Sequence, residues 1–153
     1  MDADWEKTLA SIFEEFSIVK TSKKETLEDF EQFCEFVAEP AFESLAEALK
    51  IYGIKSSSKT KKGESITFQI NFPNSRIDNF QYTICLPVNS ILMRLKLRIK
   101  GRKNKKSVRQ EIEEHFMEKV TPSKILKLKK EDIIQDVLQH YRNFVLEALT
   151  TSE

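Results

Sequence analysis

The sequence predicts a single α+β domain over residues 1–153: a four-stranded antiparallel meander sheet with one face covered by N-terminal and C-terminal helices, in the order α-α-β-β-β-β-α-α. Three observations predict it. Apolar residues recur at three- and four-residue steps through the first fifty residues and again after Lys130, the spacing of one helix face. Between about Ile54 and Lys100 the period drops to two, the spacing of a half-buried strand. Short turn signals separate the alternating runs, which favours adjacent antiparallel strands over long crossovers. A chain of 153 residues is also long enough to bury a core without disulfides or metals.

Trp5, Leu9, Ile12, Phe13 and Phe16 place a first helix over Ala3–Phe16, with Asp2 or Asp4 as its cap. Ser17–Lys24 reads as a polar link. Ser22 with Glu25, or Thr26 with Asp29, has capping-box spacing and opens a second helix. Its stripe of Leu27, Phe30, Phe33, Cys34, Val37, Ala41, Leu45, Leu49 and Tyr52 keeps phase across Pro40. One kinked helix is therefore expected, rather than two joined at Glu39. Gly53 is placed to end it in a left-handed cap.

Ile54–Lys61 reads as a weak strand, rich in Ser and Lys, followed by a Lys62-Gly63 turn. Glu64–Phe72 is a strong one, with Ile66, Phe68, Ile70 and Phe72 inward and Thr67, Gln69 and Asn71 outward. After a Pro73-Asn74-Ser75 turn, Asn79–Leu86 turns Phe80, Tyr82, Ile84 and Leu86 inward. A Pro87-Val88-Asn89 turn leads to a fourth strand, Ile91–Lys100. Ser107 with Gln110 repeats the capping-box spacing and predicts a helix through about Val120. Thr121-Pro122 restarts the chain, and a last helix over about Lys130–Leu149 carries Ile133, Ile134, Val137, Leu138, Tyr141, Phe144, Val145 and Leu149 on one stripe.

The net charge of +1 conceals a strong segregation. Residues 1–50 carry thirteen acids and five bases, residues 51–109 two acids and fourteen bases, and residues 110–153 nine acids and six bases. Arg94 to Arg109 holds nine Lys or Arg and no acid. Such asymmetry marks either an anionic partner or two parts of a fold that attract each other.

Catalytic signals are thin. The phosphate-cradling GxxxxGK[ST] and GxGxxG patterns and the GxSxG elbow are absent. His115 in EIEEHFMEK, with Glu111 and Glu118 on the same predicted helix face, lacks the HExxH spacing of a zinc site, and His140 lies in another helix. Both histidines read as helix-surface or core-edge residues. No enzyme, cofactor, metal or small-molecule site is expected. No run of eighteen apolar residues suggests a membrane span, and the acidic start MDADWEK does not resemble a signal peptide, so a cytoplasmic protein is expected. Cys34 and Cys85, with no CxxC spacing, fit buried free thiols there.

The expected function is that of a binding module. Its basic sheet face and adjoining loop, Arg94, Lys96, Arg98, Lys100, Arg102, Lys103, Lys105 and Lys106, would contact an acidic partner, either an acidic protein or the nucleic-acid backbone without sequence readout. Aromatic residues fall on the apolar side of the sheet, so base stacking is not expected. The rival expectation is a self-associating or adaptor domain. There the cations only solubilise, or meet the acidic N-terminal helices of another copy in a homodimer.

Overall fold

The computed structural model describes residues 4–71, 79–101 and 110–150, without the side chains of residues 110 and 148–150. Phe72, the Pro73-Asn74-Ser75 turn, Arg102 to Lys106, Ser107 and the Leu149 side chain lie outside what is described. The chain opens with α1 (Asp4–Phe33), runs through a π-helical turn (Cys34–Ala38) and continues as α2 (Glu39–Lys50). Five strands follow: β1 (Ser56–Lys61), β2 (Ser65–Asn71), β3 (Asn79–Cys85), β4 (Lys96–Gly101) and β5 (Gln110–His115). A 3-10 turn (Pro122–Lys127) leads into α3 (Lys130–Thr150).

One helical expectation is corrected, and another, helical chain continuing through Pro40, holds. The first helix and the polar link after it form one helix. Ser17–Lys24 contains no Gly or Pro, its side chains are exposed apart from half-buried Ser22 and Lys23, and the helix runs through it unbroken. At Pro40 the chain neither breaks nor splits. The Glu39 N–H bonds to the Cys34 carbonyl five residues back, and this one-residue slip puts Pro40 near the start of α2, where its missing N–H costs little. Gly53 (φ 73°) ends α2 as expected, with the Ile54 N–H 3.1 Å from the Leu49 carbonyl.

The sheet is an antiparallel meander in the order β1-β2-β3-β4-β5, so it has five strands and not four. The additional strand is the segment expected to be a helix through Val120. Gln110–His115 pairs with β4, placing Glu113 opposite Arg98 and Glu111 opposite Lys100. Cross-strand pairs of opposite charge, together with a full ladder, outweigh the weak helical preference of EIEEH. The fourth strand is also shorter than expected. Ile91–Leu95 approaches it as irregular chain, with Met93 and Leu95 buried, and pairing begins at Lys96.

One sheet face carries Ile66, Phe68, Ile70, Phe80, Tyr82, Ile84, Leu97 and Ile99, and α2 and α3 cover it. Phe42 of α2 stacks on Phe68 (ring centroids 5.0 Å) and meets Tyr82 edge-on. Phe80 takes Tyr141 and Phe144 of α3. The last turns of α1 join the same core through Thr26, Phe30 and Phe33, the last meeting Phe116.

Candidate functional site

The opposite sheet face is polar apart from Cys85, which lies between Ser65 and Lys96. Register places Ser57, Lys59 and Lys61 of β1, then Thr67, Gln69, Gln81 and Thr83, then Lys96, Arg98 and Lys100, then Glu111 and Glu113, side by side across it. The neutral stripe bonds to itself: the Thr67 and Thr83 hydroxyls are 2.9 Å apart, Gln81 donates to Gln69, and Gln69 donates to Asn71.

The cations expected to form a site are brought together, but not left open. Lys96 lies 3.3 Å from Glu113. Arg98 spans both acids, with Nε 3.3 Å from Glu111 and Nη2 3.6 Å from Glu113. Lys100 lies 3.9 Å from Glu111. Lys96 beside Glu113, with Arg98 next to it, holds that carboxyl below the usual carboxylate range. These half-exposed pairs contribute little stability each, but they place two carboxylates along the path a phosphate backbone would take. Arg94 precedes the strand and is exposed, and Arg102, Lys103, Lys105 and Lys106 lie outside the described residues.

A second constellation joins the sheet to α3. Tyr82, fully buried, donates its hydroxyl to Asp136 Oδ2 at 2.5 Å. His140, one turn on, has Nδ1 2.8 Å from the Asp136 carbonyl and Nε2 2.8 Å from Glu114 Oε1 on β5. Both ring nitrogens therefore face oxygen acceptors, an arrangement that suits a ring donating from both. Burial alone would favour the neutral ring, but the bonds to Asp136 and Glu114 outweigh it and raise the pKa above the ordinary histidine value. Burial, with Asp136 beside it, pushes the Tyr82 phenol well above 10, so it stays a donor. Asp136, His140 and Glu114 line a cleft of ≈ 650 Å³ between β5 and α3, and bonds among the four residues engage the imidazole and one oxygen of each carboxylate.

Because the folded-state pKa of His140 is raised, its stabilisation is complete below the unfolded value of about 6.5 and is lost as pH rises through the folded value. Urea unfolding should therefore show His140→Gln costing about 1–2 kcal/mol at pH 6, and less at pH 8. Equal losses at the two pH values would contradict an imidazolium bridge.

The third surface is the N-terminal part of α1. Every residue from 4 to 21 is exposed, so about 27 Å of helix projects from the body. It is not a polar helix. Trp5, Leu9, Ile12, Phe16 and Val19 alternate by four and three residues along one face, and Phe13 flanks them. Trp5 is 65% exposed and Phe16 54%. The same rhythm continues through Lys23 to Thr26, Phe30, Phe33 and Val37, which are buried in the body.

No protein-family model, curated protein or solved structure matches the chain. Its own surfaces therefore carry the functional reading. Among the described residues, no group of three or more His, Cys, Asp or Glu is placed to hold a metal ion, and no helix is long and apolar enough to cross a membrane. Glu111 and His115 do share a face, but on a strand, not the helix expected for them. Cys34 and Cys85 are free thiols, and burial, reinforced by Glu39 and Glu31, pushes the Cys34 thiol up to about 12.

Sequence reasoning placed the α1 stripe correctly but treated it as core, and the sequence held a signal against that. The apolar rhythm from Trp5 to Val37 is longer than the body needs to cover its sheet. The Tyr82–Asp136–His140–Glu114 chain was missed. Its only local trace is the four-residue spacing of Asp136 and His140, which puts them on one helix face.

Proposed function

We propose that this protein is a cytoplasmic, non-enzymatic interaction module that docks an amphipathic helix along the projecting part of α1. The observation that carries this is a continuous apolar seam, Trp5 to Val19, on 18 residues of helix that are all exposed. An isolated helix of this length is marginal in water, and a row of exposed aromatic and aliphatic side chains marks a contact surface. The spacing alternates as a coiled-coil seam does, so an apolar helix is the shape that fits it. Two free thiols agree with a reducing compartment. In this reading Lys96, Arg98 and Lys100 tie β4 to β5 and keep the sheet face soluble.

Trp5 is the single tryptophan, so its emission reports on the seam directly. Titration with a synthetic helical peptide carrying leucine at its seam positions should shift Trp5 emission to the blue. A Leu9→Glu, Phe16→Glu variant with unchanged far-ultraviolet circular dichroism should lose that shift. Random single-stranded RNA at about 50 mM salt should bind neither form measurably by anisotropy. Salt-sensitive RNA binding with no response to the peptide would return the function to the basic face.

A further inference from the structure

Building on the helix-docking reading, we infer that the helix on this seam is α1 of a second copy of the chain, running antiparallel. Three features of the seam select this occupant.

The first is length. The seam is exposed from Trp5 to Val19, Lys23 is half-buried, and at Thr26 the same face turns into the protein's own core. A helix lying on it must end there. An antiparallel copy does so. With the two-fold axis level with Glu14, Trp5 faces the partner's Lys23, Leu9 faces the partner's Val19 and Ile12 faces the partner's Phe16. The partner helix then starts opposite the point where the body begins. A parallel copy would bring its own body to the same end and the same side of the seam, where the two would collide.

The second is charge. Residues 4–15 carry Asp4, Glu6, Glu14 and Glu15 against Lys7, whereas residues 16–24 carry Lys20, Lys23 and Lys24 and no acid. The projecting helix is thus acidic in its outer half and basic in its inner half. Only antiparallel pairing lays each half on its complement. On one flank of the seam Glu6 faces the partner's Lys20, twice by symmetry, with Phe13 meeting its own counterpart between them. On the other flank Glu15 meets its counterpart as a like-charge contact. Lys23 opposite Trp5 places an ammonium group against an indole face.

The third is what stands beside the inner end. Lys23 donates to Asn89 at 3.4 Å, which holds the β3–β4 loop against α1. That loop exposes Val88, Ile91 and Leu92. The partner's first turn, with Trp5, would arrive next to these side chains and cover them. The surface is isologous, since the same residues serve on both copies.

The test is a dilution series of the full chain by analytical ultracentrifugation, read alongside Trp5 emission. The expected result is a dimer mass at tens of micromolar, with emission moving to the red on dissociation. Lys20→Glu should weaken the dimer about tenfold, and adding Glu6→Lys should restore it, because the reversed charges face each other again. Rescue of Lys20→Glu by Glu15→Lys instead would indicate a parallel pair and overturn the arrangement. A monomer at every concentration whose Trp5 still responds to the leucine-seam peptide would overturn the second copy as occupant but leave the helix-docking reading. A monomer that responds to neither would remove both.

Discussion

Phe68→Ala should lower the free energy of unfolding by about 3–5 kcal/mol, a large share of the stability of an ordinary domain. Phe68 is 1% exposed and sits mid-strand on β2, on the sheet's apolar face. It lies opposite Tyr82 on β3 and under the Phe42 ring, stacked at 5.0 Å with an interplanar angle of 20°. Truncation removes the apolar surface and leaves a hole between two rigid layers, a sheet and a helix, which cannot close without breaking strand pairing or shifting α2. Phe68→Leu, which keeps most of the volume, should cost less than half as much. Urea unfolding followed by circular dichroism reads both. A loss below about 1 kcal/mol for the alanine variant would show that the core collapses around the site.

Gly101→Ala should be the second large loss, about 1–3 kcal/mol, through overpacking rather than a cavity. A Cβ at this position would run into the Phe144 ring and lie 3.0 Å from the Asn79 carbonyl. Neither neighbour gives way easily. The carbonyl is backbone beside a strand, and the ring is held by Phe80, with centroids 5.6 Å apart. The conflict lies between β4 and α3, so a smaller residue on the helix should relieve it. Gly101→Ala combined with Phe144→Leu should be more stable than the sum of the two single changes predicts, by 1 kcal/mol or so in a double-mutant cycle. Strict additivity would place the strain elsewhere.

Much of the architecture could be read from local pattern. β2 and β3 were legible because strict alternation of Ile66, Phe68 and Ile70, and of Phe80, Tyr82 and Ile84, leaves no other period. α3 was legible from its apolar stripe, and Gly53 from its position just past the last periodic residue of α2. β5 was not. Glu111, Ile112, Glu113 and Glu114 suit a helix at least as well as a strand, and the deciding interaction is with cations eleven to seventeen residues earlier. Misreading that strand hid the acids, so the basic stripe of β4 looked unopposed. Lys96, Arg98 and Lys100 share one face as their alternation predicts, but the acids opposite them were not foreseen.

The sequence by itself determined the apolar faces, the turns that join them and the segregation of charge, because these depend on spacing along the chain. Only the tertiary structure decided which charges meet and which apolar stripe is spent. Lys96, Arg98 and Lys100 are answered by Glu111 and Glu113 because the meander lays β5 against β4. The rhythm from Trp5 to Val37 is one pattern in the sequence, yet only its second half, from Thr26, is buried in the body. Periodicity records that a face is apolar, whereas what covers it depends on the size and position of the surface folded against it. That is why Phe30 and Phe33 are core while Trp5 and Phe16, on the same helix in the same phase, stand in solvent.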